Sequence, residues 1–150
     1  MTYAQTQAAI VTHCLAAGAA LSNPILDVQA GFPIAKGRCI RVYYGGEVAP
    51  ERMGAEYTLN SQMVGEVTVI VAFFPITLSD ETLTATIDAD FYLLKDQLRT
   101  RILGDAQLGG ASTDLELRLV TQDFVVLGNT RYSMGTWEVV SDFTEYTIAP

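Results

Sequence analysis

The sequence predicts an α+β domain in which a mainly antiparallel sheet of about four strands has two helices packed against it. Three observations carry this expectation. Between Leu83 and Ile102 apolar residues recur at steps of four, four, three, four and four, the period of one helix face. Residues 63–74 are apolar almost throughout and rich in β-branched and aromatic side chains, as in a strand covered on both faces. Beyond residue 114 apolar and polar residues alternate, the period of strands with two unlike faces. A length of 150 residues fits one domain spanning 1–150 with a continuous core.

The elements follow in order. Residues 3–21 predict a first helix, because Ile10, Cys14 and Ala17 share a face; Gly18 weakens its end and Asn23-Pro24 stops it. Residues 22–37 contain Pro24, Gly31, Pro33 and Gly37 and predict an extended connector. Arg38–Tyr44 predicts a strand, with Ile40, Val42 and Tyr44 on one face, Cys39, Arg41 and Tyr43 on the other, and Gly45-Gly46 ending it. Residues 45–62 are polar and aperiodic, with Tyr57–Leu59 a candidate short strand. A connection of this length inside a compact domain is a candidate arm or hairpin reaching a neighbour. Met63–Phe74 is the strongest strand signal and Pro75 closes it. Ser79 is the expected N-cap of the long helix, Asp80 and Glu81 suit its positive end, Arg99 and Arg101 lie near its negative end, and Gly104 caps it. A turn-rich stretch, 104–112, leads to a strand over 114–120, where Leu115, Leu117 and Leu119 face inward. Phe124–Leu127 continues or re-enters the sheet, and Gly128-Asn129 turns. The last strand covers about 131–147, with Trp137, Val139 and Phe143 on one face and Glu138, Val140 and Asp142 on the other.

Composition narrows the function classes. Apolar residues make up 49% of the chain and charged residues only 17%, against roughly 25% charged in an average soluble domain. A surface short of charge is expected to be covered in part by partners. A neutral surface rich in Thr, Ser and Gln is the competing explanation. The net charge is −8, and the excess lies in the second half: residues 76–150 hold twelve acidic and five basic residues. With no Lys/Arg cluster, sequence-specific nucleic-acid binding is not expected, whereas an acidic surface past which DNA slides is compatible. The longest apolar run, Val69–Ile76, is shorter than the roughly 20 residues that span a bilayer. The small-residue stretch Ala8–Leu21 lacks the basic flank of a signal peptide. Cys14 and Cys39, in a helix and a strand, are expected to be buried free thiols suited to a reducing cytoplasm.

Catalytic patterns are weak. His13 is the single histidine and sits in the N-terminal helix with no nucleophile suggested by spacing. One histidine and two separated cysteines make no zinc ligand set. Asp88 and Asp90 stand two apart, so on a helix they do not converge on a metal, and they are expected to flank the apolar stripe as solvated groups or to meet a neighbouring subunit. Glu138 and Asp142 would share a strand face at about 13 Å, too far apart to act on one small group. Gly31 to Gly37 lacks the Gly-Lys-Ser/Thr ending of a P-loop. No enzyme, metal or cofactor is therefore expected.

The order of elements, together with several short phrases, resembles the tail terminator (tail completion) proteins of long-tailed bacteriophages over nearly the whole chain. The phrases are Ile40-Arg41-Val42-Tyr43-Tyr44, Val64-Gly65-Glu66-Val67-Thr68-Val69-Ile70-Val71, Leu103-Gly104-Asp105-Ala106-Gln107-Leu108-Gly109-Gly110, Gly128-Asn129-Thr130-Arg131-Tyr132, Trp137-Glu138-Val139 and Phe143-Thr144-Glu145-Tyr146-Thr147. They are short and non-catalytic, so no active site carries over. The resemblance implies a structural virion protein, made in the bacterial host cytoplasm and placed at the tail–neck junction. As a ring-forming subunit, expected as a homohexamer, it would sit on the last ring of the tail tube and end tube polymerisation. It would contact the major tail tube protein and the head–tail connector or stopper protein, and DNA would pass without specific binding. On that reading Glu47, Arg52 and Tyr57 are candidate subunit or partner contacts, and Glu138 and Asp142 candidate channel-facing residues. A tail-tube subunit, a connector and a small-ligand-binding α+β domain remain alternatives.

Overall fold

The structure is a computed structural model that describes residues 3–48, 61–76, 81–105 and 115–147, with the side chains of 61–63, 81–84, 119–120 and 142–147 left aside. Its elements are α1 (Tyr3–Ala19), β1 (Asp27–Ala30), β2 (Cys39–Val48), β3 (Ser61–Ile76), α2 (Glu81–Gly104), β4 (Glu116–Leu127) and β5 (Thr130–Thr147). Among the described residues the strands form one five-stranded sheet in the order β1-β2-β3-β5-β4. β1 runs parallel to β2, and every other neighbouring pair is antiparallel. The α+β class thus stands, with five strands rather than about four.

Both helices cover the same face of the sheet. α1 contributes Ile10, Cys14 and Ala17, and α2 contributes Ile87, Phe91, Leu94, Leu98 and Ile102, which is the spacing that predicted it. Period-two alternation supplies the sheet side of this core: Ile40 and Val42 from β2, Ile70, Ala72 and Phe74 from β3, Trp137 and Val139 from β5. At roughly 1.5–3 kcal/mol for each large apolar side chain taken out of water, this layer is the main source of stability. Phe91 stacks on Trp137 with ring centres 5.4 Å apart and meets Phe74 edge-on at 6.5 Å. Gly135 lies beneath them on β5. A Cβ there would fall 2.3 Å from Phe91 and 2.8 Å from Trp137, so only glycine lets α2 approach this closely.

The intervening side chains form a second buried cluster on the opposite face: Cys39, Val67, Val69, Val71, Phe73, Tyr132 and Val140. Ala35 of the connector packs against it, and the Gly37 N–H donates to Tyr132 Oη at 3.4 Å. The two-faced apolar strand is therefore buried on both sides within one chain and needs no neighbour to cover it.

Several boundaries move for local reasons. The 22–37 connector contains β1, whose four residues pair in parallel with Cys39–Val42. Gly45-Gly46 does not end β2. The strand gains one residue there against β3, Gly46 takes φ 94°, and pairing resumes at Gly46↔Val67 through Val48↔Gly65. This is a β-bulge, with the glycine supplying the positive φ. β3 continues past Pro75 to Ile76. Because β2 begins at Cys39, opposite Phe73, Pro75 lies beyond it, and the missing N–H breaks no β2 ladder bond. A further irregularity between Leu119 and Thr121 lets 116–127 run as one strand. Gly104 is the last residue of α2 and does not adopt a left-handed φ; the chain leaves through the turn Asp105 N–H to Ile102 O, 3.2 Å. Ser79 and Asp80, the expected cap, lie outside the described residues, as does most of the expected arm at 45–62, whose described ends are strand.

Candidate functional site

The polar residues singled out by the sequence do not converge. Glu47 is exposed on the outer part of β2, directly opposite Glu66 of β3. Past the bulge these two acids share the helix-bearing face with Tyr44, whose hydroxyl donates to Glu66 Oε2 at 2.6 Å. That bond to a carboxylate pushes the phenol up to about 12. Tyr44 also meets Tyr3 of α1 edge-on at 4.8 Å, and Tyr3 Oη lies 3.1 Å from Thr68 Oγ1, so the cluster ties the start of α1 to the sheet. Glu138 is on the opposite face. It lies beside Arg118 of β4, with Nη1 at 3.8 Å, while Arg118 Nη2 holds Glu116 at 2.9 Å. Asp142 sits where Ser141–Thr144 face Val64–Glu66 with one residue to spare, so strict alternation from Glu138 does not carry through to it. Arg52 and Tyr57 lie outside the described residues.

Three ion pairs were not visible in the sequence as pairs. Asp90, expected to be solvated, is buried: its carboxylate accepts from Arg38 Nη2 and is only 2% exposed. Arg38, at the entry to β2, also donates from Nε to Asn23 O at 3.0 Å, and its guanidinium lies 5.1 Å from the centre of the Phe74 ring. Helix α2, the first connector and the sheet meet at this one side chain. On the other sheet face Arg41 grips Asp27 through two bonds of 3.0 and 2.9 Å, and this bidentate contact holds the Asp27 carboxyl below its ordinary range. His13 Nε2 donates to Asp105 Oδ2 at 2.9 Å, joining α1 to the end of α2. The Arg38–Asp90 and His13–Asp105 pairs link elements far apart in sequence, and Arg41–Asp27 ties the neighbouring strands β1 and β2, which makes all three parts of the scaffold.

Two open clefts among the described residues lie along one sheet edge. One of about 320 Å³ is lined by Gln7, Gly31, Phe32, Tyr43 and Tyr44 where β1 stops and the outer edge of β2 begins. A second, of about 230 Å³, shares Gly31 and Phe32 and adds Asp27, Gln29, Ile34, Lys36 and Arg41. Among the described residues no three His, Cys, Asp or Glu side chains gather as metal ligands, and no helix is long and apolar enough to cross a membrane. Burial pushes the Cys14 and Cys39 thiols up, which disfavours the reactive thiolate.

Among the described residues, six of the ten exposed large hydrophobic side chains lie at the two outer edges of the sheet. At the β1 edge Leu26, Phe32 and Ile34 face water, Phe32 at 82% of its surface. At the β4 edge Phe124, Val126 and Leu127 do so, Phe124 at 72%. Phe32-Pro33-Ile34 was legible only as part of a connector and Phe124–Leu127 only as more sheet; their exposure depends on which strands end up outermost. No protein-family model matches the chain, and no curated protein matches it.

Proposed function

We propose that the chain is a structural subunit of the tail–neck junction of a long-tailed phage. In this reading it forms a ring on the end of the tail tube, stops tube polymerisation, and joins the tail to the head–tail connector while DNA passes through. It is not an enzyme, and its partners are further copies of itself, the major tail tube protein and the connector or stopper. The observation that carries the reading is the pair of apolar sheet edges. Both faces of the central strands are already buried, so these side chains lie outside the chain's two core clusters, and exposed apolar clusters of this kind mark protein contacts. The 17% charged fraction and the resemblance of the sequence's predicted element order and short phrases to tail terminators support the same reading.

Glu47 is proposed to meet a subunit or partner, with Arg52 and Tyr57 of the neighbouring segment. Glu138 and Asp142 are proposed to face the channel, where the acidic excess of residues 76–150 would repel DNA phosphates. The test is electron microscopy of the purified chain, alone and with tail tube subunits during polymerisation. Single-layer rings and tubes halted at a capped end support the reading. Open-ended cylinders of the chain itself would make it a tube subunit, and unchanged tube growth with no bound cap would overturn the assignment.

A further inference from the structure

We infer that the outer edge of β2 beyond β1 is a docking lane for an extended, basic segment of a partner protein. That segment adds to the sheet as a strand beside Tyr43–Val48 and sets a lysine or arginine against Glu47 and Glu66. The inference goes beyond the ring reading and does not depend on it.

β1 leaves this lane open because it is short. Its last residue, Ala30, pairs with Val42, whereas β2 runs on to Val48. Roughly 17 Å of β2 edge therefore has no strand outside it among the described residues. The Gly31 N–H donates to Val42 O at 2.9 Å, which fixes that carbonyl on the β1 side. By the alternation of a strand, the Tyr44 N–H and C=O point to the same side, where β1 no longer reaches them. The cleft of about 320 Å³ lies at this spot. Gly31, Phe32 and Gln7 close one end of it, with Gln7 Nε2 donating to Val42 O at 3.1 Å, and Tyr43 and Tyr44 form its wall. An open edge of this kind takes a peptide by strand addition, in which main-chain bonds give affinity and alternate side chains give selectivity.

Charge selects the occupant. Glu47 stands directly opposite Glu66, and the Tyr44 hydroxyl bond to Glu66 Oε2 joins these acids to the wall of the cleft. Acids placed opposite one another across a strand pair repel. Among the described residues no Lys, Arg or His forms an ion pair with either. The register places the base that would relieve them. Because the bulge absorbs one residue, Tyr44 and Glu47 face Thr68 and Glu66, two apart on β3. A strand in the lane that has an apolar residue beside Tyr44 thus presents its residue two further on, on the same face, beside Glu47. An apolar residue followed at i+2 by lysine or arginine is the pattern that fits. This chain's own segments do not supply it. A second β2 edge brings the same acids, residues 121–127 of β4 offer only Asp123, and residues 49–60 carry two acids against one base.

The test is fluorescence anisotropy at physiological salt with a labelled peptide, Ser-Val-Thr-Val-Thr-Lys-Thr-Lys, and with its reverse sequence, since a strand of either direction fits the lane. The better of the two is expected to bind about tenfold tighter than its counterpart with Glu in place of Lys. N-methylation of one alternate set of its residues is expected to abolish binding and of the other set to spare it, because only one edge of the added strand faces β2. Glu47→Lys is expected to reverse the preference in favour of the Glu peptide. Asp96→Lys, the same change of charge on the exposed face of α2, is expected to leave the preference as it was. An equal effect of the two variants would assign the binding to the net charge of −8 and overturn the inference. Failure of both peptides to bind at about 1 mM would overturn it as well. Tolerance of N-methylation in both sets would overturn strand addition. A peptide of residues 49–60 binding as tightly as the Lys peptide would give the lane to this chain's own segment and overturn the partner.

Discussion

Replacing Arg38 with alanine should destabilise the fold more than any surface substitution, and the size of the loss follows from its partner's burial. The Asp90 carboxylate is 2% exposed and Arg38 is 18% exposed, so Arg38→Ala strands a nearly dry charge while solvent can still reach the arginine position. Breaking such a pair from one side costs roughly 3–5 kcal/mol. Asp90→Ala should cost less, about 2–3 kcal/mol, because Arg38 keeps its bond to Asn23 O, its Phe74 contact and some water. Replacing both partners, Arg38→Met with Asp90→Leu, removes the charges together and should return to within about 1 kcal/mol of the parent. The assay is urea unfolding at one fixed protein concentration, since the proposed self-association would make the midpoint concentration-dependent. With an m-value of about 2 kcal/mol/M, Arg38→Ala should lower the midpoint by about 1.5–2.5 M. A fall of under about 0.5 M, or a double variant as unstable as Arg38→Ala, would refute the claim that this pair joins α2 to the sheet.

Other perturbations read other parts of the fold. Gly135→Ala forces a Cβ into Phe91 and Trp137 and should cost about 1–3 kcal/mol while changing Trp137 fluorescence; the cost should shrink in a Phe91→Leu background, and an additive result would contradict the packing account. Arg41 holds the Asp27 carboxyl below its ordinary value, so this pair contributes stability above about pH 4 and loses it as pH falls through the depressed folded value. Because Asp27 is 35% exposed, solvent screening limits the effect to under about 1 kcal/mol, and Asp27→Asn should flatten the urea midpoint between neutral and strongly acidic pH by that amount. Cys14 and Cys39 are fully buried, so Ellman's reagent should react with neither in the folded chain at pH 8 and with both in guanidinium; a rapid folded-state reaction would contradict their placement.

The features legible in the sequence were those written in a local period. The α2 stripe from Ile87 to Ile102 and the alternation of Ile40 and Val42 against Cys39 and Tyr43 place the core correctly because neighbours along the chain carry the whole signal. β1 was not legible: Asp27-Val28-Gln29-Ala30 has no strand period of its own and is a strand because β2 offers it an edge. Gly45-Gly46 read as a stop because glycine serves a turn and a bulge equally well, and pairing with β3 decides between them. Asp90 read as solvated because its partner Arg38 lies 52 residues away. For the candidate site, the sequence indicated a charge-poor surface without saying where it was apolar. Phe32 and Phe124 became edge residues only through the strand order, while the acids chosen for a channel, Glu138 and Asp142, have no common face that the register guarantees.

The central claim, that this chain closes a ring on the end of a tail tube, is tested most directly by cryo-electron microscopy of tail tubes incubated with the purified chain. A single terminal ring of this chain is expected on one end of each tube, with a central opening wide enough for duplex DNA. Tubes left bare, or continuous stacks of the chain extending from their ends, would contradict it.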